Sequence, residues 1–283
     1  MNEPFSETIH VLGFGTAGLS SMKSYRSVMN LLNAAYRQGI RHFDTAPLYG
    51  QGYSEKMLGD FAKAKRSELT IATKFGLGNA GPIRIPPALA LPLNYYRKKW
   101  KKADRGRNHA PTAPKSTELP FRLIKKQDVK NSLEGSLRRL QTQYIDYYFL
   151  HEALPSFLEP GVLEFLLHEK QKGTIRNIGV ATGAINLANN NSTDFQDWDI
   201  LQYEAGEWHE KLKKRFPDKL HFLHSALKNI GAYNEDTRIP ANERGGYILA
   251  QQSRINQSGK LLFSTRRKTI LHDNLNAFRK YSS

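Results

Sequence analysis

In Ile40-Arg41-His42-Phe43-Asp44-Thr45-Ala46-Pro47-Leu48-Tyr49-Gly50 a short strand-like run gives way to a polar, turn-prone loop. The change sets a carboxylate, Asp44, at the end of a strand and a phenol, Tyr49, five residues later in the loop. Two later strand-like runs deliver functional groups to the same relative place. Leu69-Thr70-Ile71-Ala72-Thr73 runs into Lys74, and Tyr144-Ile145-Asp146-Tyr147-Tyr148-Phe149-Leu150 runs into His151. If the strands are parallel neighbours, the four side chains meet at one rim.

The rest of the chain supports parallel neighbours. His10 to Thr16 reads as a first strand, and Val28, Leu31, Leu32 and Ala35 recur at helical spacing before Gly39 stops the helix. Ser54 with Glu55 reads as an N-cap and first-turn acid for a helix with Met57, Leu58 and Phe61 on its apolar face. Val129, Leu133, Leu137 and Leu140 mark another helix, as do Leu163, Phe165, Leu166 and Leu167. Further strands are expected at Ile175 to Val180, Ile200 to Tyr203, Leu220 to His224 and Lys260 to Ser264, with a closing helix from about Lys268 to Arg279. Eight strands alternating with helices predict an α/β fold, the closed (β/α)8 TIM barrel, over 1–283 as one domain. Active sites of such barrels gather where these strand ends lie.

One segment interrupts the repeat. Residues 77–121 are rich in proline and basic residues without a clear period, too long for an ordinary strand-to-helix loop. They read as a basic insertion after strand three. Within it Asn94-Tyr95-Tyr96-Arg97-Lys98-Lys99-Trp100-Lys101-Lys102 interleaves aromatics with charge.

Composition narrows the function classes. With 39% hydrophobic and 11% aromatic residues the 283-residue chain is expected to fold. The absence of cysteine excludes disulfides, thiolate metal sites and cysteine nucleophiles. No apolar run reaches the roughly 18 residues of a membrane span, and the N-terminus lacks the apolar core of a signal peptide. A cytoplasmic protein is expected. The formal charge of +16 concentrates between Arg97 and Lys130 and at Arg266-Arg267-Lys268. His221 and His224 lie on one strand with rings on opposite faces, so no metal site is expected.

The four rim residues have a shared chemical logic. Carbonyl reduction needs a hydride at carbon and a proton at oxygen, and a phenol can give the proton. A lysine ammonium about 4 Å away is worth about 4 kcal/mol at an effective dielectric near 20, enough to lower a phenol by about three pH units before burial opposes it. Asp44 would hold Lys74 charged, and His151 would donate a hydrogen bond to the carbonyl oxygen. Asp44, Tyr49, Lys74 and His151 are therefore the candidate catalytic residues.

Asp44-Thr45-Ala46-x-x-Tyr49-Gly50-x-Gly52-x-Ser54-Glu55-x-x-Leu58-Gly59 resembles the signature of the aldo-keto reductases. Thr73-Lys74-x-Gly76, Ser136-Leu137-x-Arg139-Leu140-x-x-x-Tyr144-Ile145-Asp146 and Gly173-x-Ile175-Arg176-x-Ile178-Gly179-Val180 resemble further family segments. The resemblance implies a (β/α)8 barrel, NADPH as cofactor with NADH as the alternative, a small-molecule carbonyl substrate and Tyr49 as proton donor. It implies cofactor contacts from Gly15, Thr16, Asp44, Thr182, Gln202, Ser225, Ser264, Thr265, Arg266 and Asn274. Guanidinium groups beside a helix start suit phosphate on physical grounds as well.

The sequence departs from the family at Ala181-Thr182, where Ser-Asn is usual, and at Ile270, where arginine or histidine is common. His224 stands where an aromatic ring packs on nicotinamide in the family, and the C-terminal loop of many members is not expected after the last helix. The expected activity is hydride transfer from NADPH or NADH to an aldehyde or ketone, with an anionic or sugar-derived carbonyl among the candidates. The alternatives are a cofactor-binding regulatory subunit with vestigial turnover, and association with nucleic acid or an anionic membrane surface through the basic insertion. Nucleic acid is not the expected partner, and the oligomeric state is left open.

Overall fold

The computed structural model describes residues 7–105, 123–228 and 239–282. Eight parallel strands close into a barrel in chain order: β1 (Leu12–Gly15), β2 (His42–Asp44), β3 (Thr70–Phe75), β4 (Ile145–His151), β5 (Ile175–Ala181), β6 (Ile200–Glu204), β7 (Leu220–His224) and β8 (Lys260–Phe263). β1 pairs with both β2 and β8, which closes the ring. Strands covered on both faces read as nearly continuous apolar runs, which is why the sequence signalled them clearly. His10 and Val11, expected in the first strand, belong instead to a 3₁₀ turn over Glu7–Val11.

Helices α1 (Tyr25–Arg37), α2 (Tyr53–Ala62), α4 (Lys126–Leu140), α5 (Val162–Gln171), α6 (Ala184–Asn189), α7 (His209–Arg215), α8 (Arg244–Ile255) and α9 (Lys268–Ser282) alternate with the strands. Leu31, Leu32, Leu58, Leu166, Leu249 and Leu275 of the helices join one apolar layer with the outward faces of the strands. A smaller cluster of Ala72, Phe149, Ala181, Ile200 and Phe222, flanked by Tyr147, fills the barrel interior. His42 sits there too, its ring edge-on to Tyr147 at 5.5 Å and Phe222 at 5.3 Å between centroids. Burial holds its imidazole well below the ordinary range, hence neutral.

Helix α3 (Pro87–Arg105) corrects the expectation for 77–121. The segment lacks an obvious period because Pro92 falls inside the helix and the second half is a run of basic residues. A proline removes one helical hydrogen bond and costs about 3 kcal/mol in a helix interior. Burial of Ala90 and Leu91 offsets this, and Pro87 at the helix start needs no partner for its missing N–H. The remainder of that segment, from 106 onward, lies outside the described residues. No helix among the described residues is long and apolar enough to cross a membrane.

Candidate active site

The signature stretch owes its shape to backbone conformations that the spacing alone does not reveal. Ser54 is not the N-cap of α2; Gly52 is, at φ +88°. A side chain there would also meet Arg139, whose Cδ lies 2.7 Å from the position of a Cβ. Ser54 is already inside the helix, where its hydroxyl donates to the carbonyl of Thr16 at 3.2 Å and ties the loop after β1 to α2. Gly59 allows α2 to approach the backbone of Arg139 and Leu140, 2.5 to 2.7 Å from where a Cβ would stand. Glu55 lies in the first turn of α2, as expected, and is wholly buried. Its Oε2 accepts from Arg139 Nε at 2.6 Å and its Oε1 from Thr73 Oγ1 at 2.7 Å. Three of the motif segments are thus joined by one carboxylate.

Above this base the four rim residues converge. Parallel pairing aligns Asp44 with Gly15 and Ala72, Lys74 with Phe149, and His151 with Ala181. Lys74 Nζ donates to Asp44 Oδ1 at 2.6 Å and to the Thr45 carbonyl at 2.9 Å, and it lies 5.3 Å from the centroid of the Tyr49 ring. An ammonium has three protons and no lone pair, so two are committed to these oxygens and the phenol lies beside the same charge. The other carboxylate oxygen, Asp44 Oδ2, accepts from Gln202 Nε2 at 2.9 Å. The rings of Tyr49 and His151 stand edge to face with centroids 6.2 Å apart.

The charge states follow from competition among these neighbours. Lys74 acts most strongly on Tyr49 and lowers its phenol. Burial, Asp44 and Glu152 together outweigh it, so the net displacement is upward. This corrects the expectation that the lysine brings the tyrosine towards neutral pH: burial, and after it the Asp44 that holds Lys74 in place, oppose the lysine's field. For Lys74 burial is the largest influence and lowers it, but Asp44 and Tyr49 reverse the sign and the ammonium is held charged. Burial, with Lys74 and His224, drops His151 to about 3, so it is a neutral imidazole with one N–H to donate. Burial lowers His224 as well.

These groups line a cavity of about 400 Å³ together with Gly15, Ala17, Glu152, Ala181 and a wall formed by His224 to Lys228. Phe263 and Ser264 complete it. A second cavity of about 690 Å³ shares Gly15 and Ser264 with the first and runs outward past Gly18, Lys23, Tyr95, Thr265, Arg266, Arg267 and Ile270. Arg266 lies across Gly18 and donates to Ser21 Oγ at 3.2 Å.

The expected cofactor residues divide between these cavities and the protein interior. Gly15, Asp44, Gln202, Ser225 and Ser264 face the first cavity, and Thr265 and Arg266 the second. Thr16 is buried, its hydroxyl donating to the Asp44 carbonyl at 3.0 Å. Thr182 is buried too, its Oγ1 accepting from Asn186 Nδ2 at 3.0 Å. Asn274 packs into the α8–α9 interface, with its side chain against Gly245. The cavity residues not singled out from the sequence include Glu152, Lys23 and Ala17. Glu152 directly follows His151 and is held at φ +51°, unusual for a non-glycine residue. Tyr95 arrives from α3. The sequence signal for Glu152 was its place after a strand-end histidine; for Tyr95 it was the aromatic and basic run from Asn94 to Lys102.

The aldo/keto reductase family model matches residues 11–215. The chain belongs to this family. D-threo-aldose 1-dehydrogenase of a Pseudomonas species is 28% identical over 189 residues, covering 62% of this chain and 50% of the relative. Pyridoxal 4-dehydrogenase of Microbacterium luteolum is 33% identical over 151 residues, covering 51% and 40%. The matched stretches thus span about half the length of these relatives or less. The Klebsiella pneumoniae aldo/keto reductase structure in complex with NADP and acetate superposes with a TM-score of 0.60 at 17% identity, covering 94% of this chain and 85% of that one. At that identity the likeness speaks for the fold. The family match ends before β7, yet the barrel closes through β8.

Proposed function

We propose that the protein is a nicotinamide-dependent oxidoreductase that interconverts a carbonyl and the corresponding alcohol in a small, hydroxylated substrate. The observation that carries this reading is Lys74 held by Asp44 and the Thr45 carbonyl beside the Tyr49 ring, with the His151 ring edge to face against that same ring. The set leaves one phenolic proton and one imidazole N–H directed at the same space, which suits a carbonyl oxygen that gains negative charge.

The two connected cavities suit a dinucleotide. The inner one is bounded by Gln202, His224 and Ser225, polar and flat groups against which a nicotinamide ring can lie. The outer one carries Lys23, Arg266 and Arg267, cations fitted to phosphate, at the approach to α9. NADP in the Klebsiella pneumoniae structure agrees with NADPH here, and NADH is the alternative. Bound there, the cofactor supplies the hydride. Tyr49 gives its proton to the carbonyl oxygen, Lys74 stabilises the phenolate left behind, and Asp44 keeps Lys74 charged and placed. His151 orients the oxygen through its N–H.

Glu152 at the inner cavity supports a substrate rich in hydroxyl groups. A carboxylate there accepts hydrogen bonds from hydroxyls and repels a neighbouring anion. The two named relatives act, by name, on an aldose and on pyridoxal, both hydroxylated. The deciding assay follows NADPH and NADH oxidation with aldoses, aromatic aldehydes and anionic carbonyls, and the reverse reaction with aldoses. If no substrate exceeds a Tyr49→Phe variant while cofactor still binds, the protein is a cofactor-binding regulatory subunit and the enzyme reading is wrong.

A further inference from the structure

Helix α3 divides its residues between two faces in an unusual way. Pro87, Ala90 and Leu91 are buried against the barrel's outer helices, and Asn94 and Tyr95 are partly buried. Leu89, Leu93 and Tyr96 point outward, 62%, 64% and 44% exposed. At 100° per residue these three fall within about 60° of one another on the helix. In the sequence the same spacing continues to Trp100. Single exposed apolar residues need no explanation, but a stripe of them along one helix does.

The stripe has company at both ends. Ile85, just before the helix, and Leu48, next to Tyr49 in the signature loop, are also exposed and line one shared cavity of about 510 Å³. Apolar surface therefore extends from α3 towards the catalytic rim. In the other direction the helix carries Arg97, Lys98, Lys99, Lys101, Lys102 and Arg105 against the single acid Asp104.

We infer that α3 is an in-plane anchor that seats the protein on an anionic lipid bilayer. An apolar stripe beside a dense row of cations is the pattern of a helix lying in the membrane interface, with its apolar side sunk among the acyl chains and its charges on the headgroups. The charge is complementary to acidic phospholipid. The helix is too polar to span the bilayer, which leaves the surface as its place. Nucleic acid would satisfy the cations and leave Leu89 and Leu93 in water, so lipid accounts for more of what is present. The seat would bring the Leu48 side of the catalytic rim close to the bilayer. The inference is independent of the reaction proposed above.

The test is flotation of the full chain with vesicles of phosphatidylcholine alone and of phosphatidylcholine mixed with phosphatidylglycerol. Binding is expected to the mixed vesicles and to weaken as salt screens the charges. Leu89→Ser with Leu93→Ser leaves the charge unchanged and should weaken partitioning by about tenfold or more. Both leucines are exposed, so the melting temperature and cofactor titration should stay as in the parent. As a second variant, Lys98→Gln with Lys99→Gln keeps the stripe and should lower binding to mixed vesicles. No binding to either vesicle would overturn the inference. So would binding indifferent to the leucine pair, tighter binding to single-stranded DNA that ignores that pair, or loss of a dimer in the leucine variant by gel filtration.

Discussion

Glu55 is the residue whose removal should reveal what holds the catalytic rim in place. Its side chain is completely buried, and its two oxygens accept from Arg139 on α4 and Thr73 on β3. The Arg139 side chain is only 11% exposed. Glu55→Ala leaves that guanidinium without its counter-ion in a place water scarcely reaches, a change that costs about 3–5 kcal/mol. At this chain length about 1 kcal/mol moves the melting temperature by about 2 °C, so a fall of about 6–10 °C is expected by circular dichroism. Glu55→Met combined with Arg139→Met should return to within about 1 kcal/mol of the parent, because removing both charges avoids the desolvation that one charge alone suffers. The singles and the double would then be strongly non-additive. A fall of less than about 2 °C for Glu55→Ala, or a double variant as unstable as the sum of the singles, would refute the coupling. Thr73 precedes Lys74, so the single variant should also slow turnover even at temperatures where it is folded.

Tyr49→Phe should lower turnover by about 10²–10⁴-fold, the usual worth of a placed general acid, while NADPH affinity by fluorescence titration changes by less than about threefold. The raised phenol predicts opposite pH profiles for the two directions. Reduction uses the protonated phenol and should be flat from about pH 6 to 9, whereas oxidation needs the phenolate and should climb about tenfold per pH unit; an oxidation rate that levels off below about pH 8 would contradict it. His151 stays neutral when folded down to about pH 3, while its unfolded counterpart protonates near 6.5. Stability is therefore lost as pH falls through that window, by about 2 kcal/mol at pH 5, and His151→Gln should remove that much of the pH 7 to pH 5 difference in urea unfolding. Arg266→Ala should weaken NADPH by about tenfold and leave NADH within about twofold; an unchanged ratio would mean that Arg266 does not meet the extra phosphate.

The barrel was legible because each strand is covered on both faces and shows it as an apolar run, with turn-forming residues between runs. The meeting of Asp44, Tyr49, Lys74 and His151 was legible for the same reason, since strand ends of a parallel barrel share one rim. Three kinds of information were not. Backbone sign was one: Gly52 caps α2 through a left-handed conformation that no spacing announces, and Ser54 took the expected place only on paper. Competition among fields was another: whether Lys74 or its rivals decide the Tyr49 proton depends on distances. Tertiary neighbours were the third. Glu152 and Tyr95 enter the cavities by topology, and Asn274 turns to α8 because two glycines there leave room for it.

The departures from the family gather where physics constrains residue identity least. The proton transfer proposed for Tyr49 requires a phenol, an ammonium and a carboxylate in fixed order, and residues 44–151 supply these groups inside the family match. An anion site requires only positive charge near the right place, and that can come from any wall of the cavity. Ile270 occupies a position where the family often has a cation, which taken alone argues against a phosphate there. The same cavity is also lined by Lys23, in the loop after β1, and by Arg266 and Arg267 before α9. Three cations around one recess make the loss at 270 a relocation of charge rather than its removal. The proposed preference for NADPH therefore rests on the cations of the folded recess, although the motif position alone points the other way.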